Sequence, residues 1–282
     1  MEIVDVSNWL EDDTDASGSR KKQWLKSENH LYLFKEPKDR GELYAEHLAY
    51  KIGIELFDLN IPETNVAIRN GVEGILSKNF VDSDKVQFSE ISDYFEKRNP
   101  EFDPENLFHY QLDSCIEIVE ELNLMEDFFN MCLFDSIIAN QDRHCENWGI
   151  LQSSSPLAPV TLFAPLYDNS PSLGCLLRYD ELEEYLKLEE KFKKYTTKAR
   201  TLFSIGTNKK VKINELICYL KKIDDSLLKK NFDRFSVKSY DKIYNIVDSV
   251  DENYLCSKRK ELVTQLILHR IITLETWILE KR

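Results

Sequence analysis

The chain has 282 residues, 42% hydrophobic and 31% charged, with a formal net charge of −13 at pH 7. That length suits one large domain or two packed lobes, and the balance allows a substantial core. No run approaches the roughly 20 apolar residues that span a bilayer, and the acidic start lacks a secretory layout. An acidic protein is also a poor nonspecific nucleic-acid binder. Six cysteines without ligand spacing argue against a zinc site or a disulfide framework and predict reduced thiols in a cytoplasmic protein. The charge is uneven: residues 1–175 carry −19 and residues 176–282 carry +6.

In chain order, Trp24–Leu25 and His30–Lys35 are short branched and aromatic runs that predict strands. Leu43, Leu48 and Ile52 within Glu42–Ile54 fit one face of a helix, and Asn65–Arg69 and Gly74–Phe80 predict two further strands. From about residue 88 helices are expected to dominate, with Leu124–Ala139 strongly apolar. All eight prolines lie at or before Pro171, and after Gly174 only Gly206 remains. The rest therefore predicts helices, among them Ile213–Ile223 and a long final helix carrying Leu262, Leu266, Ile267 and Ile271. The expected fold is α+β and bilobal, protein-kinase-like. A small N-lobe over residues 1–82 has an antiparallel sheet and one helix, and a large helical C-lobe spans residues 83–282.

The chemistry concentrates in Asn140-Gln141-Asp142-Arg143-His144-Cys145-Glu146-Asn147-Trp148-Gly149-Ile150-Leu151, followed by Ala164-Pro165-Leu166-Tyr167-Asp168-Asn169. Phosphoryl transfer needs a carboxylate that orients and deprotonates the attacking hydroxyl, plus oxygen ligands that hold magnesium on the nucleotide phosphates. An Asp followed five residues later by Asn supplies a base and a ligand from one loop. A second Asp on a nearby hairpin supplies the other ligand.

These two segments resemble the catalytic loop and metal motif of the HipA-like serine/threonine kinases, especially the compact branch related to the cell-translocating kinase CtkA. The resemblance implies Asp142 as general base, Asn147 and Asp168 as Mg2+ ligands, and His144 beside the phosphates, bracing the loop. It implies that Lys35 contacts the α- and β-phosphates of ATP and that Glu46, on the following helix, pairs with that lysine. Asp15-Ala16-Ser17-Gly18-Ser19-Arg20-Lys21-Lys22 sits where the family has its phosphate loop. Ser17, Gly18, Ser19 and Lys22 are its candidate nucleotide contacts; Asp15 departs from the family serine. Ser17 is the expected autophosphorylation site. Ser77-Lys78-Asn79-Phe80 falls at the adenine-contacting hinge by order along the chain, and Tyr167 and Trp148 are expected to pack around the site.

The function this implies is transfer of the γ-phosphoryl group of Mg-ATP to a protein hydroxyl. Two alternatives stay open: a kinase for a lipid headgroup or small molecule, and a nucleotide-binding pseudokinase acting as an interaction module. By resemblance, substrates include translation factors such as aminoacyl-tRNA synthetases, and partners include an antitoxin or a separate small protein standing in for the N-terminal subdomain of HipA, for which the short leader leaves no room. No membrane and no direct nucleic-acid contact are expected.

Overall fold

The computed structural model describes residues 3–13, 21–28, 30–81, 86–153 and 160–280. Two short strands absent from the sequence reading come first, β1 (Ile3–Asp5) and β2 (Leu10–Asp12). They join β3 (Lys22–Ser27), β4 (His30–Lys35), β5 (Thr64–Arg69) and β6 (Val72–Lys78) in a six-stranded sheet of order β1-β5-β6-β4-β3-β2. The expectation of a wholly antiparallel sheet is corrected at one edge, where β1 runs parallel to β5 with Ile3 opposite Val66. A parallel pair needs a long connection rather than a hairpin, and the chain between β1 and β5 supplies it. Asn70 and Gly71, at φ 50° and 80°, turn β5 into β6, as a two-residue hairpin with positive φ at both central positions requires.

Between β4 and β5 lies α1 (Gly41–Phe57), whose first N–H donates to Asp39 Oδ1 at 2.8 Å. A second sheet, β7 (Val86–Glu90), β8 (Gly149–Ser153) and β9 (Thr161–Phe163), is antiparallel throughout. Its first strand occupies positions where helix was expected. Between β7 and β8 come α2 (Ile91–Arg98), α3 (Leu112–Glu121) and α4 (Met125–Ile138). After β9 follow α5 (Tyr179–Lys187), α6 (Glu189–Thr197), α7 (Ile213–Phe235), α8 (Tyr240–Asp248) and α9 (Ser257–Leu279). α7 breaks at Asp224 (φ −153°, ψ 95°), where the predicted helix Ile213–Ile223 stops. Asp224 Oδ1 accepts the Leu227 N–H at 2.8 Å and so caps the second half.

α4 is apolar on every side and buries Phe128, Phe129, Leu133, Phe134 and Ile137, which makes it the central helix. The largest core unites α4 with α7, α8 and α9, and also with Tyr44, Ala45, Leu48, Ala49, Ile52 and Phe57 of α1. The helix assigned by sequence to the small lobe therefore shares its core with elements of the large one. Val6, Leu25, Phe34, Ala67 and Leu76 form a separate core on the sheet. The expectation that no segment is long and apolar enough to span a bilayer is corrected at α9, which meets that test by length and composition, although half of its most apolar window is buried within the fold.

Candidate active site

α4 ends at Ala139 in the left-handed conformation, φ 56°, and the catalytic-loop segment starts there. Asn140 turns the chain back: its N–H donates to Asp135 O at 3.0 Å, its Nδ2 to Asp135 Oδ1 at 3.3 Å, and its Oδ1 accepts the Asp142 N–H at 3.0 Å. Asn147 Nδ2 then donates to Asp142 O at 2.8 Å. The Asp142 backbone is thus gripped on both sides. Its half-buried carboxylate receives no hydrogen bond from the described residues, the condition a base needs to meet an incoming hydroxyl.

Arg143, next in the chain, is 2% exposed and uses all five of its N–H donors. Nε and Nη2 form a fork on Asp135 of α4, both at 2.9 Å. Nη2 also reaches Asn169 Oδ1 at 2.8 Å, and Nη1 donates to Asn147 O at 2.7 Å and Tyr167 O at 2.6 Å. Burial alone would depress the guanidinium; the Asp135 carboxylate outweighs it and the net shift is upward. Tyr167 adds a second tie, donating its hydroxyl to Glu146 O at 2.8 Å. Asp168 lies in the irregular segment that follows β9, not on the expected hairpin, and that segment and the loop of Asp142 are one hydrogen-bonded unit. Sequence reading passed over Arg143 and Asp135; their signal was a charged pair placed around the end of an otherwise apolar helix.

Asp168 sits at φ 52°, in the left-handed region. Its Oδ1 meets Lys35 Nζ at 2.5 Å across 133 residues of chain, with the lysine 8% exposed as a whole. Lys35 therefore ties the end of β4 to the segment that carries Asp168. The expected Lys35–Glu46 ion pair is not formed. Glu46 instead accepts the N–H groups of Asn169 (2.9 Å, Oε1) and Ser170 (2.6 Å, Oε2). Burial, followed by repulsion from Asp168, raises its pKa, while Lys35 and the two amides oppose the rise. Lys22 lies directly opposite Lys35 in the β3–β4 register.

The hinge segment divides. Lys78 and Asn79 hold the backbone, their N–H groups donating to Glu63 O (2.9 Å) and Leu31 O (2.8 Å). Ser77 Oγ lies 3.4 Å from Thr64 Oγ1. Phe80 stacks on Tyr167 (centroids 5.6 Å, 27°) and meets Phe88 edge-on (5.5 Å, 83°). This aromatic corner joins the end of the Ser77–Phe80 segment to β7 and to the segment after β9 that carries Asp168. Burial raises the Tyr167 phenol well above its usual range, with Glu90 adding to the shift. Glu90, at the end of β7, was not foreseen; burial first, then Glu146 and Asp93, push its pKa up to about 7, against the pull of Lys22.

His144 is partly exposed, and its Nδ1 accepts the Glu146 N–H at 3.2 Å. That bond uses the neutral nitrogen, so Glu146 Oε2 at 3.5 Å is a neighbour rather than an ion-pair partner in this state. Trp148 is buried, its Nε1 donating to Tyr110 at 2.7 Å. The phosphate-loop residues Asp15, Ser17, Gly18 and Ser19 lie outside the described residues.

Magnesium is the ion that the family resemblance implies, and the donor chemistry fits it. The Nδ2 bond of Asn147 leaves Oδ1 without a hydrogen-bond partner among the described residues, and Asp168 already holds a cation, the Lys35 ammonium. Among the described residues no group of three or more His, Cys, Asp or Glu forms a protein-only metal cage. One carboxylate and one amide oxygen, completed by phosphates and water, is how magnesium is usually held beside a nucleotide.

A family model described as the HipA-like C-terminal domain matches residues 14–227. No curated protein sequence matches the chain. Among solved structures, the Helicobacter pylori proinflammatory kinase CtkA aligns with a TM-score of 0.80 at 17% identity, over 98% of each chain. HipA of the Shewanella oneidensis MR-1 toxin–antitoxin system, solved with HipB and operator DNA, aligns with a TM-score of 0.58 at 11% identity. That alignment covers 92% of the present chain and 65% of the other. At such identities the likeness is one of fold. The family match takes in more than half of the sequence, including Lys35, Asp142, Asn147 and Asp168, and the chain belongs to the HipA-like family.

Proposed function

We propose that this protein is an ATP- and magnesium-dependent serine/threonine protein kinase of HipA type. The observation that carries the reading is the convergence on Asp168. Lys35 reaches its carboxylate from β4, while Arg143 ties the segment of Asp168 to the loop of Asp142 and Asn147. In this reading Asp142 accepts the proton of the substrate hydroxyl as that oxygen attacks the γ-phosphorus, and the bond to the β-phosphate oxygen breaks. Lys35 leaves Asp168 to contact the phosphates, with Lys22 beside it. Asn147 and Asp168 would hold Mg2+, which would supply neutralisation of phosphate charge. Phe80 and Tyr167 offer aromatic faces near the adenine, next to the hinge carbonyls and amides of Ser77–Phe80. His144 sits beside the phosphates.

An antitoxin partner is proposed by analogy with the Shewanella neighbour, a toxin–antitoxin HipA solved with HipB, and a protein hydroxyl is the proposed substrate. The cytoplasm, where ATP and such partners occur, is the proposed compartment, and Ser17 the proposed autophosphorylation site. Incubation of the purified protein with γ-labelled ATP and Mg2+ tests the reading. Label on serine or threonine of the protein or an added substrate, lost in Asp142→Asn, is the expected result. Nucleotide binding without transfer in the wild type overturns it in favour of a pseudokinase.

A further inference from the structure

Asn169 and Ser170 are each 1% exposed, so water cannot readily replace a lost acceptor for their N–H groups. Those two consecutive groups follow Asp168, a non-glycine residue in the left-handed region. Such a backbone conformation persists only where the surroundings hold it, and successive N–H groups of a turn converge on an anion. Here the anion is built in. Glu46 spends one carboxylate oxygen on each N–H, at 2.9 and 2.6 Å, while Lys35 makes its ion pair with Asp168.

We propose that Glu46 is a positioning residue for Asp168, acting through the N–H groups of Asn169 and Ser170 rather than through the Lys35 ammonium. The inference rests on the kinase reading only in taking Asp168 as a metal ligand. It assigns Glu46 a different task from lysine pairing. Glu46 fixes the turn from α1, which is itself wedged between β5 and β6 on one side and α7 and α8 on the other. Arg143 fixes the same turn from the opposite side through Tyr167 O and Asn169 Oδ1. The Asp168 backbone is therefore held before any nucleotide arrives. Lys35 can leave for the phosphates without loosening it, because the holder and the lysine do not share a bond.

Glu46→Gln tests this, since the amide keeps the shape and can accept only one of the two N–H groups. In the nucleotide-free protein, the Asn169 and Ser170 amide signals are expected downfield and slowly exchanging. In the variant at least one should move upfield and exchange roughly tenfold or more faster, the size of one lost hydrogen bond to a charged acceptor. In binding titrations the variant should need more Mg2+ to reach full nucleotide affinity, with metal-free affinity unchanged. Added to Asp168→Asn, it should shift that magnesium requirement no further. Unchanged amide signals overturn the proposal. So does a variant that loses metal-free nucleotide affinity as Lys35→Met does while keeping the wild-type magnesium dependence. A wild-type protein that binds no nucleotide defeats the kinase reading instead, and the amide signals still decide what holds the turn.

Discussion

Arg143 and Asp135 form a bidentate ion pair, both contacts at 2.9 Å, that joins the residue after the candidate base to the last turns of the central helix. Neither side chain faces open solvent. With the other Arg143 contacts, the pair fixes α4, the loop of Asp142 and the segment of Asp168 against one another. Asp135→Asn leaves a buried guanidinium without its counter-charge, a change that typically costs about 3–5 kcal/mol. A large fall in melting temperature, together with loss of activity in the folded remainder, is expected from thermal denaturation and single-turnover assays. Arg143→Lys should fare little better, because an ammonium cannot reproduce five donors in a planar fork. Wild-type stability in both variants would show that the network is incidental.

Asp142→Asn is expected to abolish phosphoryl transfer while leaving the fold and Mg-ATP binding intact. The carboxylate acts on the hydroxyl, not on the nucleotide, and general-base contributions are on the order of 10²–10⁴-fold in rate. Single-turnover kinetics beside a binding titration separate the two effects. Retained turnover removes Asp142 from the role.

Asp168→Ala should weaken Mg-ATP binding more than Asp142→Asn does. A group facing the metal contributes in the ground state, whereas a base contributes mainly in the transition state. The same substitution takes away the Lys35 ion-pair partner, so metal-free ATP should bind as well as before or better. Titrations with and without Mg2+ check both halves, and equal Mg-ATP affinity in the two variants contradicts the assignment.

Glu90 gives a pH-dependent stability. Its folded pKa, about 7, lies above the ordinary carboxyl value of 4.5. Between those two values the folded protein holds a proton that the unfolded chain has lost, so stability from this group falls as pH rises through that window. Below 4.5 both states are protonated, and above 7 the full cost of the buried charge remains. Glu90→Gln should therefore raise the melting temperature at pH 8 relative to wild type and have little effect near pH 4. A stability gain that is the same at both pH values would rule out charge as the cause.

The elements of the chain were legible in sequence where local signals were strong. His30–Lys35, the helix around Leu48 and the apolar run Leu124–Ala139 all stand in the structure within a few residues. β1 and β2 were missed because three-residue strands carry almost no periodicity. β7 was missed because its partner β8 lies beyond three helices, and pairing at that separation leaves no local trace. The motif around Asp142 stood out in sequence by its spacing and its family resemblance, and the structure brings its loop against the segment of Asp168. The partners of Glu46 were not legible, because they are backbone N–H donors, and backbone groups have no letter in a sequence.

The embedding of α1 among α4, α7 and α8 has a consequence for how the molecule comes apart. Two lobes joined by a hinge can melt separately and often survive as fragments. Here, removing the sheet-bearing segment takes Tyr44, Leu48, Ile52 and Phe57 out of the helical core, and removing the C-terminal helices strips one side of α1. Neither fragment keeps the core that α1 shares with the helices. The protein should thus unfold in a single cooperative step, with the amides of α1 exchanging at the same global rate as those of α4.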